Sequence, residues 1–390
     1  MSNPFDRRRH HWAFLPCLNG CRTGQATAWQ NGRRRGDPTF AGVARLPGER
    51  KEGAMVKPPL EPGVKIAIQA PPEPTEEDLS FYTQMGIRHA VLWTDETKSS
   101  PEYYASRREL FAQHGVQVYG FGNADVHNQP LLVLGGEGRQ AKIEQYKNHI
   151  RALGASGVPY TTYAHMANGI WSTEPELTRG GARGRAFSMA TATHGRWRNT
   201  EYHLPMTNGR EYSEEEAWAN FEEFIRQVVP VAEQEGVRIG IHPDDPPVPR
   251  LGGAPRIFSR FADYKRALAI ADSPNVGVCL CAGCWLEGGP EMGATVEEAI
   301  AHFAGEGKLF KVHFRNVDKP LPHFVETFVD DGYADMYSIM RALVDAKFDG
   351  VAIADHIPAM AGGPRVGTAF TIGYMKALLD RAHADVARGA

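Results

Sequence analysis

Residues 213–245 read SEEEAWANFEEFIRQVVPVAEQEGVRIGIHPDD. Ser213 followed by three glutamates is typical of a helix N-terminus, and Gly236 is the kind of residue that commonly ends a helix. A run rich in β-branched residues follows at once and predicts a strand over 237–244. The segment therefore joins one helix to one strand, which is the repeating unit of an α/β protein.

The same unit recurs along the chain from residue 64 onward. Short β-branched runs predict eight strands, at 64–70, 89–94, 116–123, 159–165, 237–244, 275–283, 309–316 and 351–356. Helical patterns lie between or after them, at about 75–86, 101–114, 138–154, 213–235, 259–271, 295–304, 335–346 and 373–387. Eight such units predict a (β/α)8 TIM barrel. The rival fold, a doubly wound open sheet, usually has a G-x-G-x-x-G motif after its first strand, where this chain has APPEP at 70–74.

The first 55 residues differ in composition from the rest. They contain ten Lys or Arg against four Asp or Glu, although the whole chain has a net charge of -3. They lack the apolar region of a secretory signal, while an Arg-rich transit peptide stays open as an alternative. We expect a disordered basic extension over 1–55 and a single barrel domain over 56–390.

Composition excludes several classes of protein. Hydrophobic residues make up 42% and charged residues 23%, as in ordinary globular chains. No run of about 18 apolar residues exists, so we expect no membrane span, and the acidic body argues against a nucleic-acid partner. The cysteines number five, and three of them lie within 279–284, which is not a secreted disulfide framework. We therefore expect a reducing, cytoplasmic compartment.

One connection is far longer than the others. About 48 residues, 166–213, separate the fourth predicted strand from its helix. Loops of this length are usually functional lids or binding loops. The alternative is a surface insertion that packs on a neighbouring subunit, and a homo-oligomer is expected.

The last four predicted strands each end in a residue that can bind a metal ion. These residues are His242, Cys281, His313 and Asp355. The active sites of such barrels lie at the carboxyl ends of the strands, and residue parity places His242 and His313 on the polar faces of their strands. Any one of them alone is more often a satisfied polar or small buried residue, but four at matching strand ends favour a metal site. Nitrogen, sulfur and oxygen donors together suit Mn²⁺, Fe²⁺, Co²⁺ or Zn²⁺, while Cys279 and Cys284 are interpreted as structural.

Other polar residues surround this set. Arg315 suits bidentate pairing with a substrate carboxylate. His356 is a candidate acid or base, with the alternative that it only orients a metal ligand. Three further residues are expected near the substrate: Asn316, Trp171 and His323.

Several of these segments together form a pattern. They are IHPDDPP at 241–247, CAGC at 281–284, VHFRNV at 312–317, DMY at 335–337, FDG at 348–350 and ADH at 354–356. In order and approximate spacing they resemble the D-mannonate dehydratase family, a member of the xylose-isomerase-like barrel superfamily, from about residue 64 to the C-terminus. The resemblance implies a divalent metal, Mn²⁺ with Fe²⁺ or Co²⁺ as alternatives, that serves the dehydration of D-mannonate to 2-keto-3-deoxygluconate. By position it implies metal ligands at His242, Cys281, His313 and Asp355, a catalytic role for His356 and substrate contact by Arg315.

The chain departs from the family pattern at three places. The family's Arg-Pro-Gly-Tyr-Gly-Leu-Tyr-like run, which includes a Tyr implicated in catalysis, is replaced by PRVGTAF at 364–370, and the nearest tyrosine is Tyr374. The segment at 171–174 reads WSTE rather than the family's Trp-Thr-Arg-Thr. A serine that follows Cys-x-Gly in the family is Cys284 here. These departures bear on the substrate more than on the metal or the fold.

The resulting hypothesis is the elimination of water from a small sugar acid. The metal binds the carboxylate and the adjacent hydroxyl and stabilises an enediolate, His356 or a lid residue moves protons, and Arg315 orients the anion. A sugar isomerase or epimerase that uses the same metal site, and a barrel that binds a sugar acid without turnover, remain as alternatives.

Overall fold

A computed structural model gives the structure of residues 62–389. The extension expected over residues 1–55, together with Cys17 and Cys21, lies outside the described residues. Among the described residues, no helix combines the length and the apolar character needed to cross a bilayer.

Eight parallel strands form a closed barrel in which each strand pairs with the next and the eighth pairs with the first. The strands are β1 (Val64–Ala70), β2 (His89–Thr94), β3 (Gln117–Asn123), β4 (Tyr160–Ala164), β5 (Arg238–His242), β6 (Val276–Cys281), β7 (Leu309–Phe314) and β8 (Gly350–Ala354). The predicted TIM barrel is therefore confirmed, and every predicted strand is present to within three residues at either end.

Within residues 62–389, eight longer helices surround the barrel. They are α1 (Glu76–Gln84), α2 (Pro101–Gln113), α3 (Arg139–Ala155), α4 (Glu214–Glu235), α5 (Phe261–Ala271), α6 (Val296–Gly305), α7 (Met336–Asp345) and α8 (Pro364–Ala387). The sequence did not indicate two shorter helices, Pro130–Leu134 and Ala282–Gly288. Three short 3-10 turns lie at Glu96–Lys98, Arg179–Gly181 and Gly289–Met292.

Local chemistry explains where these helices begin. Thr75, Ser213 and Thr295 each form a capping box, in which the hydroxyl accepts a backbone N–H from the third helical residue and that residue's carboxylate accepts the cap's own N–H. The prediction for α8 was wrong at its start, which lies at Pro364 rather than at 373. Proline is favoured in the first helical turn, where its missing N–H leaves no hydrogen bond unmade.

A large aromatic side chain helps fill the barrel interior. Tyr160 of β4 is fully buried and packs with Tyr119 of β3 at a ring separation of 5.0 Å. A Cβ atom at Gly240 would lie 2.4 Å from the Tyr160 hydroxyl, and one at Gly120 would lie 2.5 Å from its carbonyl oxygen. Glycine at these two positions therefore makes room for the tyrosine, which helps close the barrel below the polar strand ends.

The long connection over 166–213 is ordered by short strands that the sequence pattern did not indicate. They are Ile170–Trp171, Glu176–Leu177, Arg183–Gly184, Ala186–Ser188, His194–Trp197 and Thr200–His203. Ala186–Ser188 pairs with His323–Thr327, which in turn pairs with Asn316–Val317 after β7. This pairing fixes the connection to the carboxyl end of the barrel, next to the ends of the late strands.

Candidate active site

The four predicted metal ligands lie at the ends of four neighbouring strands. His242 ends β5, Cys281 ends β6, His313 is the next-to-last residue of β7, and Asp355 follows β8 directly. The strand register pairs Cys281 with His313 and His313 with Ile353. Paired residues of neighbouring parallel strands have their Cα atoms at the same height along the barrel, so their side chains can contact one another.

The donor atoms of these four residues converge. His242 Nε2 lies 3.2 Å from His313 Nδ1, His313 Nδ1 lies 3.5 Å from Asp355 Oδ2, and Cys281 Sγ lies 4.0 Å from the same Asp355 oxygen. Metal–donor bonds of about 2.0–2.3 Å place neighbouring ligands of one ion about 3–4 Å apart. These separations and the mixed donor set therefore fit a single divalent ion.

The remaining nitrogen of each imidazole is held by a neighbour. His242 Nδ1 lies 2.7 Å from the Pro243 carbonyl oxygen, which accepts its proton and leaves the Nε2 lone pair facing the other donors. His313 Nε2 lies 3.6 Å from Cys279 Sγ, so Nδ1 is the atom that faces His242 and Asp355. Such outer contacts fix the tautomer and the orientation of metal-binding imidazoles.

Charge in the site favours the ionised forms of the Cys281 thiol and the Asp355 carboxyl group. Burial acts to raise the pKa of the Cys281 thiol, but contact with Cys284 and the charge of Arg315 outweigh it and hold this pKa well below its ordinary value. Burial likewise acts to raise the pKa of Asp355, while His356 and His313 hold it well below its usual range. Thiolate and carboxylate are the ligand forms of these residues.

Two arginines and three acidic residues form a buried network beside the donors. Arg315 lies 3.1 Å from Asp245 and 2.8 Å from Glu287, and it also contacts Glu326. Arg185, from the long connection, lies 2.7 Å from Glu326 and contacts Asp245. Burial and the charge of Asp245 raise the pKa of Glu287 to about 8. Since both guanidinium groups already occupy the space between these acids, this cluster is an ion-pair network rather than a second cation site.

His356 is the exposed ionisable group at the edge of the four donors. Its side chain is 35% exposed, its Nδ1 lies 2.8 Å from Glu326, and its Nε2 lies 3.9 Å from Asp355 Oδ1. Its φ of 40° is unusual for a residue other than glycine. Burial acts to lower the pKa of His356, but the charges of Asp355 and Glu326 raise it to about 9. The ring is thus oriented by Glu326 and faces both solvent and the donor set.

The structure places four other predicted residues in contact with protein groups, and their substrate-binding roles stay predictions. Arg315 is 2% exposed and is enclosed by acidic groups. Asn316 is buried and donates to the Ala334 carbonyl oxygen at 2.9 Å. Trp171 is fully buried, and its indole N–H donates to the Asn168 carbonyl oxygen.

The fourth of these residues, His323, lies on the long connection's anchoring strand. Its Nε2 lies 2.7 Å from Glu176, so it contacts this connection rather than the donor set. In this structure Arg315, Asn316, Trp171 and His323 therefore support the architecture of the site.

Sequence reasoning missed three residues that shape the site. Arg185 and Glu287 complete the ion-pair network, and His127 packs against the rings of Trp93 and Trp197, at 4.9 and 5.0 Å. His127 is buried, and its Nδ1 has no hydrogen-bond partner among the described residues. For Arg185 the length of its connection was the only signal, and for Glu287 and His127 the sequence carried none.

Comparisons with known proteins identify the family of this chain. The sequence model of the family described as D-mannonate dehydratase (UxuA) matches residues 100–384. The chain belongs to the D-mannonate dehydratase family. It is 29% identical to mannonate dehydratase 2 of Halalkalibacterium halodurans over 265 residues, which cover 63% of this chain and 74% of that protein. The resemblance predicted from the sequence is thereby confirmed.

Two solved structures support the fold of this D-mannonate dehydratase family member. The crystal structure of mannonate dehydratase from Streptococcus suis serotype 2 matches with a TM-score of 0.72 and 23% identity, covering 83% of this chain and 96% of that one. A xylose isomerase domain protein from Alicyclobacillus acidocaldarius matches with a TM-score of 0.52 and 15% identity, covering 82% and 99%. The xylose-isomerase-like barrel is thus confirmed, and membership of a dehydratase family confirms the predicted enzyme class, a hydro-lyase.

Proposed function

We propose that this chain is a metal-dependent hydro-lyase that removes water from D-mannonate or a closely related aldonate to give a 2-keto-3-deoxy acid. The proposal rests on the donor atoms of Cys281, His313 and Asp355, which lie within 4.8 Å of one another at the carboxyl end of a barrel of this family. His242 Nε2 adjoins them, 3.2 Å from His313 Nδ1. A divalent ion would satisfy this buried set of two imidazoles, a thiolate and a carboxylate. Among the described residues, the cationic groups near it are Arg315, His356 and Lys311.

Those four residues would hold the ion, and the substrate would approach from the side of His356. A divalent cation bound there would stabilise the negative charge that develops on a substrate carboxylate when the neighbouring carbon loses its proton. His356 is the group placed to hold or move a proton at its Nε2, because its Nδ1 is engaged with Glu326. Arg185 and Arg315 keep Glu326 in place, so they act on the reaction by positioning His356.

Replacement of His356 by Asn should lower kcat by about 100-fold to 10,000-fold, the range for loss of a general acid or base. The metal content of the variant should stay unchanged, because His356 contributes no donor atom to the converged set. The measurement is steady-state turnover together with elemental analysis. His383→Asn, an exposed histidine near the C-terminal end of α8, is the matched control and should keep full turnover. Full turnover of His356→Asn would refute the assignment.

The function itself is tested by product analysis on a panel of aldonates and uronates that includes D-mannonate. Elimination gives a 2-keto-3-deoxy acid that reacts with semicarbazide, whereas isomerisation or epimerisation gives no deoxy product. We expect a deoxy product that is lost after EDTA treatment and restored by added Mn²⁺. Full activity of the stripped protein, or an isomerised sugar as the product, would overturn the proposal.

The identity of the metal, the location of the protein and its assembly state are also proposed. Mn²⁺, with Fe²⁺ or Co²⁺ as alternatives, suits the mixed donor set. A cytoplasmic location is supported by three free thiols within the described residues. A homo-oligomer is supported by exposed apolar side chains on the long connection, namely Leu177, Met189, Leu204 and Met206.

A further inference from the structure

Cys281 has a second thiol beside it that the proposed reaction does not use. Cys281 and Cys284 form a C-x-x-C sequence, and their sulfur atoms lie within 4.8 Å of each other. The backbone N–H of Cys284 lies 3.4 Å from Cys281 Sγ. Both cysteines are free in the structure. Two cysteines at this spacing are typical of thiol pairs that oxidise and reduce reversibly.

The surroundings of the two thiols give them different chemical roles. Cys281 Sγ faces the donor set, 4.0 Å from Asp355 Oδ2, and as a metal ligand it must be a thiolate. Cys284 is equally buried, with its sulfur 3.2 Å from Arg315 Nη2 and within 4.8 Å of Cys281 Sγ and a His242 ring nitrogen. Of the two sulfurs, only that of Cys281 also groups with His313 and Asp355, so a small oxidant that reaches the centre of the donor set would meet Cys281. The Cys284 sulfur is close enough to attack the oxidised Cys281.

The third cysteine of this region is poorly placed to compete. Cys279 lies two residues before Cys281 on β6, and residues two apart along a strand are separated by about 6.6 Å. A disulfide needs Cβ atoms about 3.5–4.5 Å apart. Cys279 Sγ is also engaged with His313 Nε2 at 3.6 Å.

We propose that Cys281 and Cys284 form a reversible disulfide when the metal-free site meets a peroxide, and that this bond excludes the metal ion. The Cys281 thiolate attacks one peroxide oxygen, the O–O bond breaks, and one water leaves after protonation, which gives a sulfenic acid. The Cys284 thiol then attacks that sulfur, the S–O bond breaks, and the hydroxyl leaves as a second water. Two thiols are oxidised and one peroxide is reduced to two waters. A dithiol reductant reverses the change.

The disulfide would remove the only thiolate from the four proposed ligands. The exclusion of the metal rests on the proposed function, in which Cys281 binds the ion, whereas the formation of the bond rests only on the two sulfur positions. Oxidation should therefore weaken Mn²⁺ binding by at least about 10-fold, because loss of a residue that only contacts a metal ligand already lowers metal affinity by about 10-fold to 100-fold.

The test uses the full-length protein, stripped of metal or preloaded with Mn²⁺ and exposed to hydrogen peroxide. All three cysteines fall in one tryptic peptide, 267–308, so mass spectrometry should show this peptide losing two hydrogen atoms in the stripped protein only. Dithiothreitol should restore the original mass. Cys284→Ser should block the loss and leave a sulfenic acid that dimedone traps on Cys281, whereas Cys279→Ser, the matched control, should still form the bond.

Mn²⁺ affinity of oxidised and reduced protein, measured from the free-ion electron paramagnetic resonance signal, gives a readout independent of turnover. Unchanged peptide mass in the stripped wild type, or retention of the bond in Cys284→Ser, would overturn the dithiol proposal. A bond that forms equally with bound Mn²⁺, or that leaves Mn²⁺ affinity unchanged, would overturn the exclusion and also count against Cys281 as a ligand. A different outcome would be that Mn²⁺ prevents the disulfide and the disulfide weakens Mn²⁺ binding, but no aldonate is turned over. That outcome would count against the proposed reaction alone.

Discussion

Replacement of Asp355 by Asn is expected to reduce Mn²⁺ affinity by at least about 100-fold, since changes to outer contacts alone cost about 10-fold to 100-fold. The Asp355 carboxylate lies within 4.0 Å of the donor atoms of both His313 and Cys281, and the amide that replaces it carries no charge. We expect turnover at fixed Mn²⁺ to fall by about 1,000-fold, the equivalent of roughly 4 kcal/mol of lost charge stabilisation. Isothermal titration with Mn²⁺ and a turnover assay check the two effects separately.

Asp349→Asn is the matched control for this variant. Asp349 directly precedes β8 and Asp355 directly follows it, so the two aspartates flank opposite ends of the same strand. Asp349 pairs with Lys65 at 2.5 Å, and its side chain is largely exposed. The control should bind Mn²⁺ as the wild type does. Equal Mn²⁺ affinity of the two variants would show that Asp355 is not a ligand.

Replacement of Arg315 by Met should lower the free energy of unfolding by about 3–5 kcal/mol, the usual cost of removing one partner of a buried ion pair. The guanidinium lies 2.8 Å from Glu287 and 3.1 Å from Asp245 and from Asp355. Methionine has a similar volume but no charge. In the variant these acids would face each other, and Arg185 would supply the one guanidinium that remains in the network. Urea unfolding followed by circular dichroism measures the difference.

Arg341→Met on α7 controls for the loss of an arginine as such. Arg341 forms an i,i+4 pair with Asp345 at 2.8 Å on the protein surface, and such pairs contribute roughly 0.3–0.5 kcal/mol. The control should therefore unfold within about 0.5 kcal/mol of the wild type. If Arg315→Met were equally stable, the network would not be the structural support described here.

The barrel and the donor set could be predicted because both follow from local patterns. Ser213 and Gly236 are typical first and last flanking residues of a helix. Eight repeats of the helix–strand unit are compatible with few fold topologies, of which the barrel is one. In a parallel barrel the carboxyl ends of all strands meet at one end. His242, Cys281, His313 and Asp355 therefore had to lie near one another once the strands were assigned.

The buried network could not be predicted, because its contacts join distant segments. Arg185 and Glu287 are 102 residues apart, and their contact depends on how the long connection folds back through short strands that carry no strong pattern. The surroundings of Arg315 could not be predicted for the same reason. Its position after His313 suggested a group facing the substrate, and the acids that enclose it come from three other segments.

The most direct test of the central claim is anomalous diffraction at the manganese edge from crystals grown with Mn²⁺. The geometry predicts one strong peak within bonding distance of His242 Nε2, Cys281 Sγ, His313 Nδ1 and Asp355 Oδ2. A peak elsewhere, or no peak at this position in crystals that bind Mn²⁺, would contradict the account.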